Sequence, residues 1–220
     1  YWDVFELDSD ALYQCERPGT AHWRTPRPIV VDSIMGRIPS TMVPLGTQLP
    51  AFALPDGSGV EHTSEACAGT AGTLVIFMCN HCPFVVHVAE ELAALGRDYA
   101  DTDIGIVAIS SNDVSTHPDD GPAHMLQFST RHGLHYPYLY DESQDVAKAF
   151  DAACTPDFFL YDSNGKLVYR GQLDDARPGS DVPVTGQDVR RAMDQLLSGG
   201  PIVDEQVPSL GCNIKWKATD

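Results

Sequence analysis

Residues 72–99, GTLVIFMCNHCPFVVHVAEELAALGRDY, hold a strand, a cysteine pair and a helix in immediate succession. The run GTLVIFM (72–78) is continuously apolar and of strand length, which suits the middle of a sheet. Cys79 and Cys82 follow at Cys-x-x-Cys spacing with His81 between them. Pro83 then falls at a first-turn position, where its missing N–H costs nothing. Val85, Val88, Leu92, Leu95 and Tyr99 recur at helical spacing, with Glu90, Glu91 and Arg97 between them. IGIVAIS (104–110) is a second buried strand, so the segment makes a βαβ unit with parallel pairing and a right-handed crossover.

Working outward, residues 1–41 are rich in Pro, Gly and Arg around CERPGTAHWRTPRPIV and form an N-terminal extension with at most short pieces of structure. The main domain, residues 42–200, begins near VPLGTQLPAFALPDGSGV with short strands and a Pro-Asp-Gly turn. After the βαβ unit, SNDVSTHPDDGP is a loop, AHMLQFSTRHG a helix ending at Gly133, YPYLYD a short strand and SQDVAKAFDA another helix. PDFFLYD and KLVYRGQ flank Ser163-Asn164-Gly165 as a hairpin. TGQDVRRAMDQLLSG is the last helix, capped by Thr185 and stopped by Gly199, and residues 201–220 are a tail that packs back on the domain. A sheet that begins parallel and ends in a hairpin, with a dithiol at its first strand-to-helix turn, is the thioredoxin plan. It is an α/β fold with a central mixed sheet flanked by helices.

At 220 residues the chain buries a full core, and its six cysteines are too sparse for a disulfide scaffold, so ordinary packing carries the fold. The net charge, 14 minus 31 or −17, excludes nucleic acid and anionic membrane as partners and favours neutral or cationic ones. No Lys, Arg, Asp or Glu occurs from Ala66 to Ala89, a span long enough to cross a bilayer. Gly72, Asn80, His81 and Pro83 interrupt it, so it is a buried strand running into a half-buried helix. Nothing after Tyr1 has the basic-then-apolar pattern of a secretion signal, so a cytoplasmic location is expected, a signal already removed being the other reading.

The pieces MCNHCPFV, ISSND, PDD, TPDFFLYD, YRGQLDD and GCNIKWK resemble the redoxin (alkyl hydroperoxide reductase / thiol-specific antioxidant) superfamily, and within it the peroxiredoxin-like branch carrying Cys-Asn-His-Cys-Pro-Phe. Together they span residues 43–217. The resemblance implies the thioredoxin fold and thiol–disulfide exchange. No cofactor is expected; the partners are a protein or small-molecule disulfide or thiol and an electron donor.

Thiol chemistry leads to the same place independently. The thiolate is the nucleophile, and a free thiol has a pKa of about 8.5. Cys79, just before a helix N-terminus, meets unpaired N–H groups and the macrodipole, and protonated His81 adds a cation. Both stabilise the thiolate and make the disulfide more oxidising. Cys79 is therefore expected to be the exposed, attacking sulfur, and Cys82, one helical turn later and more buried, the resolving one. Two alternatives stand beside this. A structural zinc site needs four ligands, usually two spaced pairs. There is no second Cys-x-x-Cys, His81 cannot easily join its two neighbours and His87 lies further along the helix, so no metal is expected; Cys154 and Cys212 are the remaining ligand candidates for a zinc-binding or interaction module. A peroxiredoxin-like peroxide reductase would need Pro and Thr seven and three residues before its cysteine. Those positions hold Val75 and Cys79 counted from Cys82, or Gly72 and Ile76 counted from Cys79.

Thr155-Pro156 falls where thioredoxin-like folds carry a cis-proline opposite the dithiol, and an open strand edge there would let a substrate backbone pair beside the cysteines. Cys154 and Cys212 are auxiliary redox candidates, with packing as the bland alternative for Cys154. Cys15 and Cys67 carry no motif. Asp157 fits a loop cap better than a proton acceptor. Trp216 is expected to pin the tail through its indole, and His117, His124, His132 and His135 to be solvated surface.

Overall fold

The computed structural model describes residues 36–202 and 205–218, so the extension's first 35 residues and Cys15 lie outside the described residues. In chain order the strands are β1 (Arg37–Pro39), β2 (Ala53–Pro55), β3 (Glu61–Thr63), β4 (Gly72–Phe77), β5 (Ile104–Ser110), β6 (Tyr138–Tyr140), β7 (Cys154–Thr155), β8 (Asp157–Asp162), β9 (Leu167–Gly171) and β10 (Leu210–Asn213). The helices are α1 (Ser64–Cys67), α2 (Pro83–Asp98), α3 (Pro122–His132), α4 (Asp145–Ala149) and α5 (Gln187–Ser198).

Every residue of β4 is buried because it is paired on both edges, parallel to β5 and antiparallel to β8. The sheet order is β6-β5-β4-β8-β9, a mixed sheet of the thioredoxin-like kind. Alternation along β4 feeds two cores. Leu74, Ile76 and Met78 pack with buried residues of α2, α3 and α5, such as Leu92, Met125 and Val189. Val75 and Phe77 pack with Leu139, Phe150 and Phe159, and Phe77 meets the Phe150 ring edge-on at 5.2 Å. Both faces are thus covered, which is why the run carries no polar alternation. The charge-free span divides among the end of α1, β4 and the first half of α2. Among the described residues no helix is long and apolar enough to cross a membrane.

A second sheet, β1-β10-β7, joins three distant segments. β1 lies inside the segment assigned to the extension and β10 inside the tail, and the two pair antiparallel. The tail is held by this pairing and by its backbone, not by Trp216, which is 43% exposed. Lys215 N donates to Asn112 Oδ1 at 2.8 Å, Lys215 O accepts from Asp113 N at 2.8 Å, and Ile214 is buried. Thr185 does not cap α5. Gly186 holds the N-cap position, and the Thr185 N–H donates to Asp174 Oδ2 at 2.7 Å. Gly199 ends the helix with φ at 68°, the left-handed conformation that glycine adopts without strain.

Asp157 begins β8, fully buried, with its Oδ2 3.3 Å from Nη2 of an equally buried Arg170. Arg170 also donates from Nε to Ser40 Oγ at 2.8 Å and lies over the Phe159 ring at 4.3 Å. Burial pushes the Asp157 carboxyl up to about 6, and the guanidinium offsets only part of that. The folded state therefore keeps this proton between about pH 4 and its folded value, where the unfolded chain releases it. Asp157 contributes stability at low pH that is lost as pH rises. Asp157→Asn, its neutral isostere, is expected to gain stability relative to wild type between pH 4 and pH 7 in urea unfolding. An Asn variant that loses ground over that range would show that the ion pair outweighs burial.

Candidate active site

Met78 N still donates to Ile109 O at 3.0 Å, one residue past the end of β4. The chain then leaves the sheet: Cys79, Asn80 and His81 form a loop, and α2 starts at Pro83 with Cys82 as its N-cap residue. Pro83 stands in the first turn as its position suggests, but the helix N-terminus and its unpaired N–H groups fall at Cys82, not Cys79. Nor is Cys79 exposed. It shows 1% of its surface to solvent and Cys82 none.

Both sulfurs meet Thr155. Cys79 Sγ lies 3.5 Å from its hydroxyl, and Cys82, when protonated, donates to its carbonyl at 3.2 Å. The Thr155–Pro156 peptide is cis. The edge expected to receive a substrate strand already carries one: β10 pairs antiparallel with β7, with Cys212 opposite Thr155 and Asn213 opposite Cys154. Gly211 permits the approach, since a Cβ there would lie 2.0 Å from Thr155 O. Cys212 is half-buried and packs against the core cluster that contains Cys79 and Cys82. Cys154 is not brought there in the same way. Alternation along β7 turns it from the face of Thr155, it is fully buried, and its thiol points to Pro156 O at 3.7 Å.

The acid of the site escaped the sequence reading. Asp120, fully buried at the end of a single 3-10 turn (Pro118–Asp120), accepts from Asn80 N at 2.8 Å and His81 N at 3.3 Å through Oδ1. Its Oδ2 meets His81 Nδ1 at 2.6 Å and accepts from Asn112 Nδ2 at 2.8 Å. His117, expected to be free surface, stacks on the His81 ring at 5.2 Å between centroids. Burial raises the Asp120 carboxyl, but the hydrogen bonds from His81 and Asn112 outweigh it and hold it below its ordinary range. The same bond to Asp120 lifts His81 above its ordinary value against partial burial. Ligand atoms of Cys79, His81 and Asp120 all lie within 4.8 Å of one another, so His81 does join a cysteine in a possible metal-binding set, through Asp120.

Three thiols share this junction. Cys82 is pushed well down, first by a hydrogen bond from the Cys212 thiol and then by one from Cys79, with the Val85 amide adding to them. Cys79 is pushed well up, first as donor to Cys82, then by burial and by the Asp120 charge. Cys212 is likewise pushed up, first as donor to Cys82 and then by burial. The helix N-terminus and the coupling among the three thiols thus favour the thiolate on Cys82, while the Thr155 carbonyl, which Cys82 meets as a donor, opposes it. Cys67 sits in the opposite core cluster, away from the site.

Residues 44–189 match the Redoxin family. The chain belongs to the Redoxin family. This redoxin is 49% identical to an uncharacterized conserved protein from Geobacillus kaustophilus, over 84% of this chain and 99% of that one, with a TM-score of 0.83. It is 47% identical to a hypothetical protein from Sinorhizobium meliloti 1021, over 82% of this chain and 99% of that one, at 0.81. The thioredoxin domain of a thiol-disulfide oxidoreductase from Bacteroides vulgatus, 16% identical over 70% of this chain and 99% of its own, shares the fold at 0.54. A peroxidoxin from Mycobacterium tuberculosis does so too, at 17% identity over 71% of this chain and 97% of its own, also with 0.54. No curated protein matches the chain significantly. The family supports a redox function for this redoxin, and the fold agrees with the expectation from element order.

The His81–Asp120 pair has a defined pH window. A raised His81 contributes stability that is lost as pH rises through its folded value; a lowered Asp120 contributes stability that is lost as pH falls. The pair is therefore strongest between about pH 4 and 6.5. In Asp120→Asn, the His81 ring is expected to titrate lower than in wild type by NMR. An unchanged His81 titration would show that the carboxylate does not set its charge.

Proposed function

We propose that this redoxin is a thiol–disulfide oxidoreductase of the peroxiredoxin-like branch, cycling Cys79 and Cys82 between dithiol and disulfide. One observation carries the reading: both sulfurs lie against Thr155, beside cis-Pro156, at the junction of β4 and α2. The Cys82 thiolate attacks one sulfur of a substrate disulfide, and the substrate S–S bond breaks. The departing sulfur takes a proton, for which the His81 imidazolium is the adjacent acid. Cys79 then gives up its proton and attacks Cys82 Sγ in the mixed disulfide, and the second substrate sulfur leaves. The substrate gains two electrons and two protons, and the Cys79–Cys82 disulfide forms; a thiol electron donor reverses these steps. The sequence assigns the first attack to Cys79, on the helix N-terminus and the His81 cation. The helix N-terminus at Cys82 and the coupling among the thiols favour Cys82 instead.

A shallow depression lined by Phe84, Val88, Pro156, Phe158, Asp174 and Arg177 adjoins Pro156. The charge of −17 supports neutral or cationic partners, and the reading includes a cytoplasmic location, where free thiols persist. Peroxide reduction is less well supported, because neither cysteine has the Pro and Thr of that chemistry at the required spacing. Metal binding is a second reading, favoured by the Cys79, His81 and Asp120 set. Three ligands leave zinc a vacant position, and His81 and Asp120 already satisfy each other.

Insulin reduction with the wild type and the two serine variants tests the assignment. Cys82→Ser is expected to lose activity and rapid alkylation at pH 7. Cys79→Ser is expected to keep the reactive thiolate and, with Cys212 also replaced by Ala, to accumulate a mixed disulfide at Cys82. Activity retained in Cys82→Ser would overturn the order of attack. Zinc at one equivalent that survives gentle chelation would favour the metal-binding reading.

A further inference from the structure

We infer that Cys212 is a third redox thiol, and that Cys82 exchanges its disulfide partner between Cys79 and Cys212. This rests on the dithiol reading above and deepens it. β10 occupies the strand edge beside Pro156 and places a cysteine opposite Thr155, whose carbonyl and hydroxyl touch the other two sulfurs. An added strand at such an edge is held by backbone hydrogen bonds, and its side chains are presented to the adjoining site. Here the added strand is the chain's own, and the side chain it presents is a thiol.

Exposure gives the arrangement a use. Cys79 and Cys82 are both covered, while Cys212 is the half-buried member of the three. An external thiol reaches a disulfide between two covered sulfurs, but more slowly than one that ends at the half-buried Cys212. Transfer to Cys212 carries it toward solvent. In the step, Cys212 loses its proton and its sulfur attacks Cys82 Sγ of the Cys79–Cys82 disulfide. The Cys82–Cys212 bond forms, the Cys79–Cys82 bond breaks, and Cys79 leaves as a thiolate that takes up the proton. This is an isomerisation with no net change in electrons. A first molecule of thiol reductant then attacks Cys212, forming a mixed disulfide with it and releasing Cys82 as the stabilised thiolate; a second attacks the sulfur of the first, freeing the Cys212 thiol, and the two reductant thiols leave joined as a disulfide. Cys212 already packs against the cluster that holds Cys82, on the strand paired with Thr155.

Disulfide mapping by mass spectrometry, on full-length protein oxidised with glutathione disulfide, tests this. Wild type is expected to yield both Cys79–Cys82 and Cys82–Cys212 peptides, and Cys79→Ser to yield Cys82–Cys212. Cys212→Ala is expected to retain the Cys79–Cys82 bridge and be reduced several-fold more slowly by glutathione. Cys79→Ser supplies the test independently of whether the Cys212 variant folds. If wild type forms Cys79–Cys82 but Cys79→Ser forms no Cys82–Cys212 bridge, the third-thiol role is wrong and the dithiol reading stands. If wild type forms neither bridge, both fall.

Discussion

Thr155 is the residue on which the site is built. Its hydroxyl meets Cys79, its carbonyl meets Cys82, and its backbone pairs with the strand that carries Cys212. These contacts require β7 to end against the head of α2, which depends on the central sheet: β8 follows Pro156 directly and pairs along the whole of β4. The buried Arg170 ties the beginning of β8 to Ser40 on one side and to the Asp151 carbonyl on the other. A buried ion pair of this kind is a weak source of stability. Its effect here is positional, fixing where the Pro156 loop stands relative to the thiols.

Charge is divided between two centres that face each other. The His81–Asp120 pair keeps an imidazolium at the surface of the loop, while Asp120 also accepts the Asn80 and His81 amides and so fixes the loop's backbone. Asp120 and Cys79 repel as anions, which discourages a thiolate on Cys79. Cys82 is better placed, at the helix N-terminus, and its coupling to the neighbouring thiols pushes it down. The tail joins the same network, since Asn112 donates to Asp120 and accepts from the Lys215 amide. Holding β10 in place and holding the acid in place are thus one set of contacts.

Much of the fold was legible because its signals are local. An unbroken apolar run followed by helical periodicity defines β4 and α2, and Ser163-Asn164-Gly165 marks the β8–β9 hairpin. The cysteine pair was visible for the same reason, and the cis-proline through the resemblance to thioredoxin-like folds. What escaped were contacts between distant segments. Asp120 looks like one of several loop aspartates; only folding across about forty residues buries it under His81. β1 and β10 are short and lie in segments without a period, so pairing across the chain was not encoded locally. Pro83 was legible as a first-turn residue and stands at N1, which makes Cys82 the cap residue in place of Cys79.

Thiol counting across glutathione redox buffers tests the central claim most directly, because it follows the reduced protein through its own equilibrium without a substrate. The expected result is that two thiols per chain disappear together in one two-electron step, with the chain remaining monomeric on non-reducing gels and no second step until far more oxidising buffers. Retention of all thiols across the range, or their loss only into bridges between chains, would contradict a redox-active dithiol at Cys79 and Cys82.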